Sequence, residues 1–272
     1  MSSGTVSAEE IEKFAKLASR WWDPNGPMKP LHQMNPVRVD WILEAMAGLN
    51  VKADLNVTAG PTVMAGEDPP STPSGAGPAQ GVEGSPSHAT TSRILDVGCG
   101  AGLASEALAR HGHDVLGIDA AGEAIEAARA HAEGQDLRLT YRSCLAEDLA
   151  AEGLRFPVIT ALEVIEHVPD PAAFVRVLAG LLEPGGLLVM STLNRTKRSW
   201  IVGKLGAEYI LRMLPVGTHD WKAFIAPAEL AGMMRAAGLR VGKTTGLGVD
   251  PLTGQWRIGR DMAVNYMMAG VR

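Results

Sequence analysis

From residue 93 onward, short apolar runs alternate with stretches in which apolar residues recur every three or four positions. The runs Arg93–Val97, Asp114–Asp119, Leu137–Tyr141, Pro157–Leu162 and Leu187–Ser191 read as strands. Between them, Leu103–Arg110, Glu123–Glu133 and Pro171–Leu182 carry helical periodicity, the last with Asp170 as its N-cap. Strands separated by helices of this length imply βαβ crossovers and a parallel sheet covered on both faces. After Ser191 the rhythm changes to a long excursion, Asn194–Phe224. A helix over Pro227–Gly238 and two late strands, around Arg240–Leu247 and Asp261–Met268, complete the pattern.

The N-terminal 50 residues read as a separate helical cap. Ser7-Ala8-Glu9-Glu10 fits a capping box ahead of Ile11, Phe14, Leu17 and Ala18 on one face. Asp23-Pro24-Asn25-Gly26-Pro27 is a stop and turn. Asn35-Pro36 then reads as an N-cap with proline at the first helical position, opening a helix through Trp41 and Ile42 towards Gly48. Residues 51–92 break the pattern. Ala59 to His88 contains six glycines and six prolines with almost no large apolar residues, so it has little with which to offset its ordering entropy. The expectation is a flexible insertion between the cap (1–50) and the main domain (93–272).

Composition narrows the class. Of 272 residues, 46% are hydrophobic and 20% charged, enough for a buried core. Twenty-five Lys and Arg against 30 Asp and Glu leave a net charge of −5, which argues against nucleic acid as the main partner. Cys99 and Cys144 lack the spacing of a zinc ribbon or a disulfide framework. No apolar run reaches membrane-spanning length, and the acids near Met1 do not fit a transit peptide. The expected setting is cytoplasmic.

The sharpest motif is Asp96-Val97-Gly98-Cys99-Gly100-Ala101-Gly102, between the first strand and the first helix. Its glycines let the backbone turn at the strand's carboxyl end and approach a ligand closely. A dinucleotide fingerprint would need glycine at position 103, which is Leu103, and no Gly-Lys-Ser/Thr follows to make a P-loop. Asp96 at this mouth suits an amino-acid or sulfonium cation better than a pyrophosphate. Asp119 ends the second strand, 21 residues after Gly98, where a carboxylate can accept from vicinal ribose hydroxyls.

Together these features resemble class I S-adenosylmethionine (SAM)-dependent methyltransferases. The resemblance implies a Rossmann-like α/β fold with a seven-stranded, mostly parallel sheet whose last strand is antiparallel. It sharpens through Phe14–Asp23, Lys29–Arg38, Thr160–Val168, Ser191–Thr196, Gly206–Arg212 and Gly217–Trp221, which are similar to the ubiquinone-biosynthesis O-methyltransferases. That likeness implies a polyprenyl hydroxyphenol or demethylubiquinol acceptor, SAM as donor, and a setting in a ubiquinone-biosynthesis complex. It places Gly98, Gly100 and Gly102 on the methionine part of SAM, Asp119 on the ribose and Leu162 near the adenosyl group. Arg38 resembles the family arginine that reaches the ligand from the N-terminal helix, where its guanidinium suits a carboxylate. Ala101 stands where the family usually has a third glycine.

Glu163, Glu166 and His167 follow the fourth strand directly. If helical, their i, i+3, i+4 spacing puts all three on one face, able to hold a hard cation such as Mg²⁺. The resemblance implies the same metal dependence. A cation would favour the phenolate of an acceptor whose pKa lies near 10. His167 or His219 could instead act as general base. In the excursion, Trp200, Ile201, Leu205, Tyr209, Ile210, Leu211 and Leu214 are interleaved with Lys197, Arg198, Lys204 and Arg212. That pattern suits either an interfacial helix on anionic lipid of the inner membrane or a lid packed on the protein's own core. Two other functions fit parts of the pattern: a non-catalytic lipid- or quinone-binding scaffold, and a SAM methyltransferase with another small acceptor. A scaffold does not need the glycine loop with Asp119, and a small-amine methyltransferase does not need the apolar excursion.

Overall fold

In the computed structural model, residue 12 and residues 18–57, 92–201, 223–250 and 252–272 are described. Eight strands form one sheet: β1 (Arg93–Val97), β2 (Asp114–Asp119), β3 (Leu139–Ser143), β4 (Phe156–Leu162), β5 (Leu182–Leu193), β6 (Arg240–Val249), β7 (Trp256–Gly259) and β8 (Asn265–Val271). Their spatial order is β3-β2-β1-β4-β5-β8-β6-β7. The β3-β2-β1-β4-β5 part is parallel, while β8 inserts antiparallel between β5 and β6. This is the expected topology with one more strand than expected: β7 adds a short antiparallel edge to β6.

The helices are α1 (Lys29–Val57), α2 (Leu103–Arg110), α3 (Gly122–Ala132), α4 (Ala146–Ala151), α5 (Pro171–Leu181) and α6 (Pro227–Ala236). Alternation along the strands divides the core in two. Leu95, Val97, Leu116 and Ile118 pack with α4, α5 and α6. Ile94, Val115 and Val158 pack on the opposite face with α1 and α2. Period-two side chains on a parallel sheet are what permit both faces to be apolar.

The prediction for α1 is corrected. Asn35 is not an N-cap, because the helix already runs from Lys29 and carries Pro36 inside it. Met34, Arg38, Trp41, Ile42 and Ala45 form one buried stripe at three- and four-residue spacing, whereas Pro36 is exposed. Packing of that stripe outweighs the roughly 3 kcal/mol that an interior proline costs. The Asn35 amide instead donates to the Leu103 carbonyl at 2.8 Å, tying α1 to the start of α2.

The backbone of α1 continues to Val57, so the expected insertion boundary at 51 falls inside a helix. The rest of that segment, the Ser7 capping box and most of the excursion lie outside the described residues. β3 lies two residues later than expected, a shift that preserves which side chains face the core. β8 starts at Asn265 rather than Asp261, because the Asp261 carboxylate accepts the Ala263 N–H and turns the chain there. The cap at Asp170 is as expected: its carboxylate accepts the Ala173 N–H at 2.9 Å.

Candidate cofactor and active site

At the carboxyl ends of β1, β2 and β4 lies a cleft of about 1170 Å³, counting its open mouth. The carboxyl ends of parallel strands are where this architecture places a ligand. Arg38, Asp96, Gly98, Gly100, Asp119, Leu162, Glu163 and His167, all singled out from the sequence, line it.

The glycine loop has two separate reasons to be glycine. Gly100 has a φ of +54°, and a β-carbon there would stand 2.3 Å from the Trp21 ring. Gly98 has a φ of +68°, and its β-carbon would meet Val164 at 2.4 Å. Left-handed backbone and close approach therefore coincide at both positions. Gly102, expected on the methionine part of the ligand, is not among the residues facing the cleft; it ends the loop beside the Tyr141 hydroxyl.

Asp119 is held by backbone alone. One carboxylate oxygen accepts the Gly100 N–H at 2.8 Å and the other accepts the Ala121 N–H at 2.8 Å. The residue thus steadies the entry to α3 and also the glycine loop. Burial pushes its pKa above the usual carboxylate range, opposed by these N–H groups. Each carboxylate oxygen keeps a further lone pair for a hydroxyl donor.

Asp96 works from beneath. It is buried, and accepts from Ser105 Oγ at 2.6 Å and Thr160 Oγ1 at 2.8 Å. Arg38 reaches the same region from α1, only 4% exposed. Its Nη2 makes a 3.3 Å contact with Asn35 Oδ1, and its Nε has no hydrogen-bond partner among the described residues. Desolvation lowers the guanidinium pKa, while the carboxylates of Glu163 and Asp96 raise it. A buried guanidinium with an orphaned N–H beside a ligand cleft is fitted to an anionic ligand group.

The expected metal triad is not assembled. Glu163 follows β4 with a φ of +57°, and only Ile165–His167 form a 3-10 turn, so no α-helical face joins the three residues. Glu163 Oε1 accepts from Ser191 Oγ at 2.7 Å and from Asn265 Nδ2 at 3.0 Å. Glu166 is turned away from the cleft, buried, and accepts from Thr192 Oγ1 at 2.8 Å. Burial, then the neighbouring Glu163 charge, pushes its pKa up to about 7. Among the described residues no three His, Cys, Asp or Glu side chains are grouped to hold a metal ion. His167 does line the cleft; His219 lies outside the described residues.

Sequence reasoning missed three contributors. Trp21 closes the cleft over Gly100, and Cys144 with Leu145 line it from the loop after β3. Asp148, three residues after Leu145, was a readable signal: its carboxylate accepts the Leu145 N–H at 2.8 Å and starts α4.

Residues 79–244 match the family described as "Methyltransferase domain". Over 272 residues, all of this chain and 98% of the relative, there is 43% identity to the ubiquinone biosynthesis O-methyltransferase of Cereibacter sphaeroides. The protein of the same name from Aeromonas salmonicida is 40% identical with the same coverage. Among solved structures, magnesium protoporphyrin IX methyltransferase from Synechocystis, with bound SAH, matches with a TM-score of 0.51 and 21% identity. That match covers 67% of this chain and 74% of the other, and at such identity it speaks for the fold alone.

Proposed function

The chain belongs to the ubiquinone biosynthesis O-methyltransferases, and from that membership we propose that it methylates a phenolic hydroxyl of a polyprenyl hydroxyphenol or demethylubiquinol, with SAM as donor. The observation that carries the donor assignment is the orphaned Nε of buried Arg38, in the same cleft as the backbone-held Asp119. Arg38 pairs with the methionine carboxylate and Asp119 accepts from the ribose hydroxyls. Gly98 and Gly100 bring bare backbone against the methionine part, and Leu162 packs on the adenosyl group. Asp96 sets the loop from below and adds negative potential where a sulfonium rests.

Bound SAM supplies an electrophilic methyl group. The chain's own task is to present a phenolic oxygen in line with it and accept the proton. His167, in the cleft wall, takes that proton as the oxygen–methyl bond forms and the carbon–sulfur bond breaks. The products are an aryl methyl ether, the neutral thioether S-adenosylhomocysteine and a protonated imidazole. Positive charge moves from sulfur to the imidazole, so holding the reactants close and dry contributes more than stabilising new charge. Glu163 Oε1 is engaged by Ser191 and Asn265 and Glu166 Oε2 by Thr192, so the proton is assigned to His167.

The polyprenyl tail needs an apolar approach. Trp200 and Ile201 are 48% and 49% exposed where the excursion begins, beside Lys197 and Arg198, which supports contact with an anionic lipid surface. No helix among the described residues is long and apolar enough to cross a membrane. Incubation with methyl-labelled SAM and a short-chain demethylubiquinol tests the reading: label should appear in an aryl methyl ether. Absence of transfer, with both ligands shown to bind, overturns it.

A further inference from the structure

The wall of the donor cleft formed by Trp21 is held from outside by a cluster that does not line the cleft. The adjacent Trp22 lies face to face on the His131 imidazole, with ring centroids 3.4 Å apart and planes 4° from parallel. The Trp22 indole N–H donates to the Ala101 carbonyl, inside the glycine loop, at 3.0 Å. His131 Nδ1 is 2.7 Å from Oε1 of Glu106, whose side chain is fully buried. Glu106 also accepts from Arg110 at 2.6 Å and stands in the first turn of α2, the helix that the glycine loop opens. His32 Nε2, on α1, is 2.8 Å from the Trp21 carbonyl.

These contacts join three elements at one corner. The Trp21–Trp22 segment carries the cleft wall, α3 carries His131, and α2 carries Glu106. Trp21 is not free to move alone, because its neighbour is fixed to the loop on one edge and to an anchored imidazole on one face. Trp22 also packs against the cluster of Trp21, Met28, Ala101 and Leu103, while the partly exposed His131 ring is hydrogen-bonded to a buried carboxylate.

We propose that the Trp22–His131 stack is a latch that holds the Trp21 wall against the glycine loop, making Trp22 and His131 positioning residues for SAM that never touch it. The inference rests on the donor assignment above. Opening of the stack frees Trp21 to leave Gly100, which exposes the methionine end of the cleft to water. Loss of the stack, with the packing and hydrogen bonds that hold it, is expected to change donor affinity about three- to tenfold.

The test compares the full-length wild type with His131→Ala, His131→Phe and Trp22→Ala, each checked for wild-type circular dichroism. SAM dissociation constants come from calorimetry, and kcat and both KM values from turnover with a short-chain demethylubiquinol. His131→Ala should raise the SAM Kd and KM three- to tenfold, with kcat and acceptor KM within twofold. His131→Phe, which keeps the stacked ring, should return the SAM Kd to within twofold of wild type. Trp22→Ala should weaken SAM at least as much as His131→Ala. Unchanged SAM affinity in His131→Ala, equal losses in the Ala and Phe variants, or a fall in kcat at constant KM overturns the latch. If wild type itself takes up no SAM, the donor assignment falls, and the latch with it.

Discussion

The Asp119 carboxylate accepts the backbone N–H of Gly100 at 2.8 Å, so the residue placed for the ribose also fixes the loop placed for the methionine. The second strand and the first loop are therefore one unit of the donor site. Asp119→Ala should weaken SAM by one to two orders of magnitude in calorimetry, since charged hydrogen bonds contribute about 1.5–3 kcal/mol each. An unchanged dissociation constant would mean the ribose lies elsewhere.

Arg38 offers a sharper test because its N–H is orphaned in a buried setting. Arg38→Met should weaken SAM about tenfold or more, the scale for a buried charge-assisted pair. Methylthioadenosine, which lacks the amino-acid part, should bind wild type and variant alike. Equal losses for both ligands would show that Arg38 shapes the cleft rather than meeting a carboxylate.

Glu166 makes stability depend on pH. Its folded pKa, raised to about 7 by burial, lies above the ordinary 4.5 of the unfolded chain. The folded protein then binds the extra proton between those values, and its stability falls as pH rises through that window. At about 1.4 kcal/mol per pH unit, the decline is on the order of 3 kcal/mol between pH 4.5 and pH 7. Urea unfolding of wild type and Glu166→Gln at pH 5, 6, 7 and 8 should show a difference that shrinks on the acid side and grows towards pH 8. A pH-independent difference would contradict it.

Among the described residues no three His, Cys, Asp or Glu side chains, Glu163, Glu166 and His167 included, are grouped to hold a metal ion, which predicts weak cation binding. Titration of the protein alone with Mg²⁺ should reveal nothing tighter than about 10⁻³ M, the weak end for protein oxygen sites. A micromolar site abolished by Glu163→Ala would show that these side chains rearrange around a cation.

The described residues that line the donor cleft come from outside the Gly- and Pro-rich segment. Deletion of residues 59–88 should leave the SAM dissociation constant within about twofold. A tenfold loss would place part of the segment in the pocket.

What the sequence determined by itself was everything governed by local period and local backbone need. Alternating and three-to-four-residue spacing predicted most strands and helices, and Gly98, Gly100 and Asp119, legible as a glycine turn and an acid at the next strand's end, line one cleft. The family motifs pointed to Arg38, but only the buried stripe of α1 explains how it reaches the cleft, through a helix that runs past Pro36 because its packing outweighs the broken bond. Three outcomes belonged to tertiary structure alone. Glu163, Glu166 and His167 share a spacing but not an α-helical face, because β4 is followed by a left-handed residue and a 3-10 turn that no periodicity records. Trp21 closes the cleft although it lies 79 residues from Gly100, and β7 exists only because an edge of β6 was left to pair. Contacts between distant segments are chosen by which surfaces remain exposed after the local elements form, and that information is spread over the whole chain rather than written at any one position.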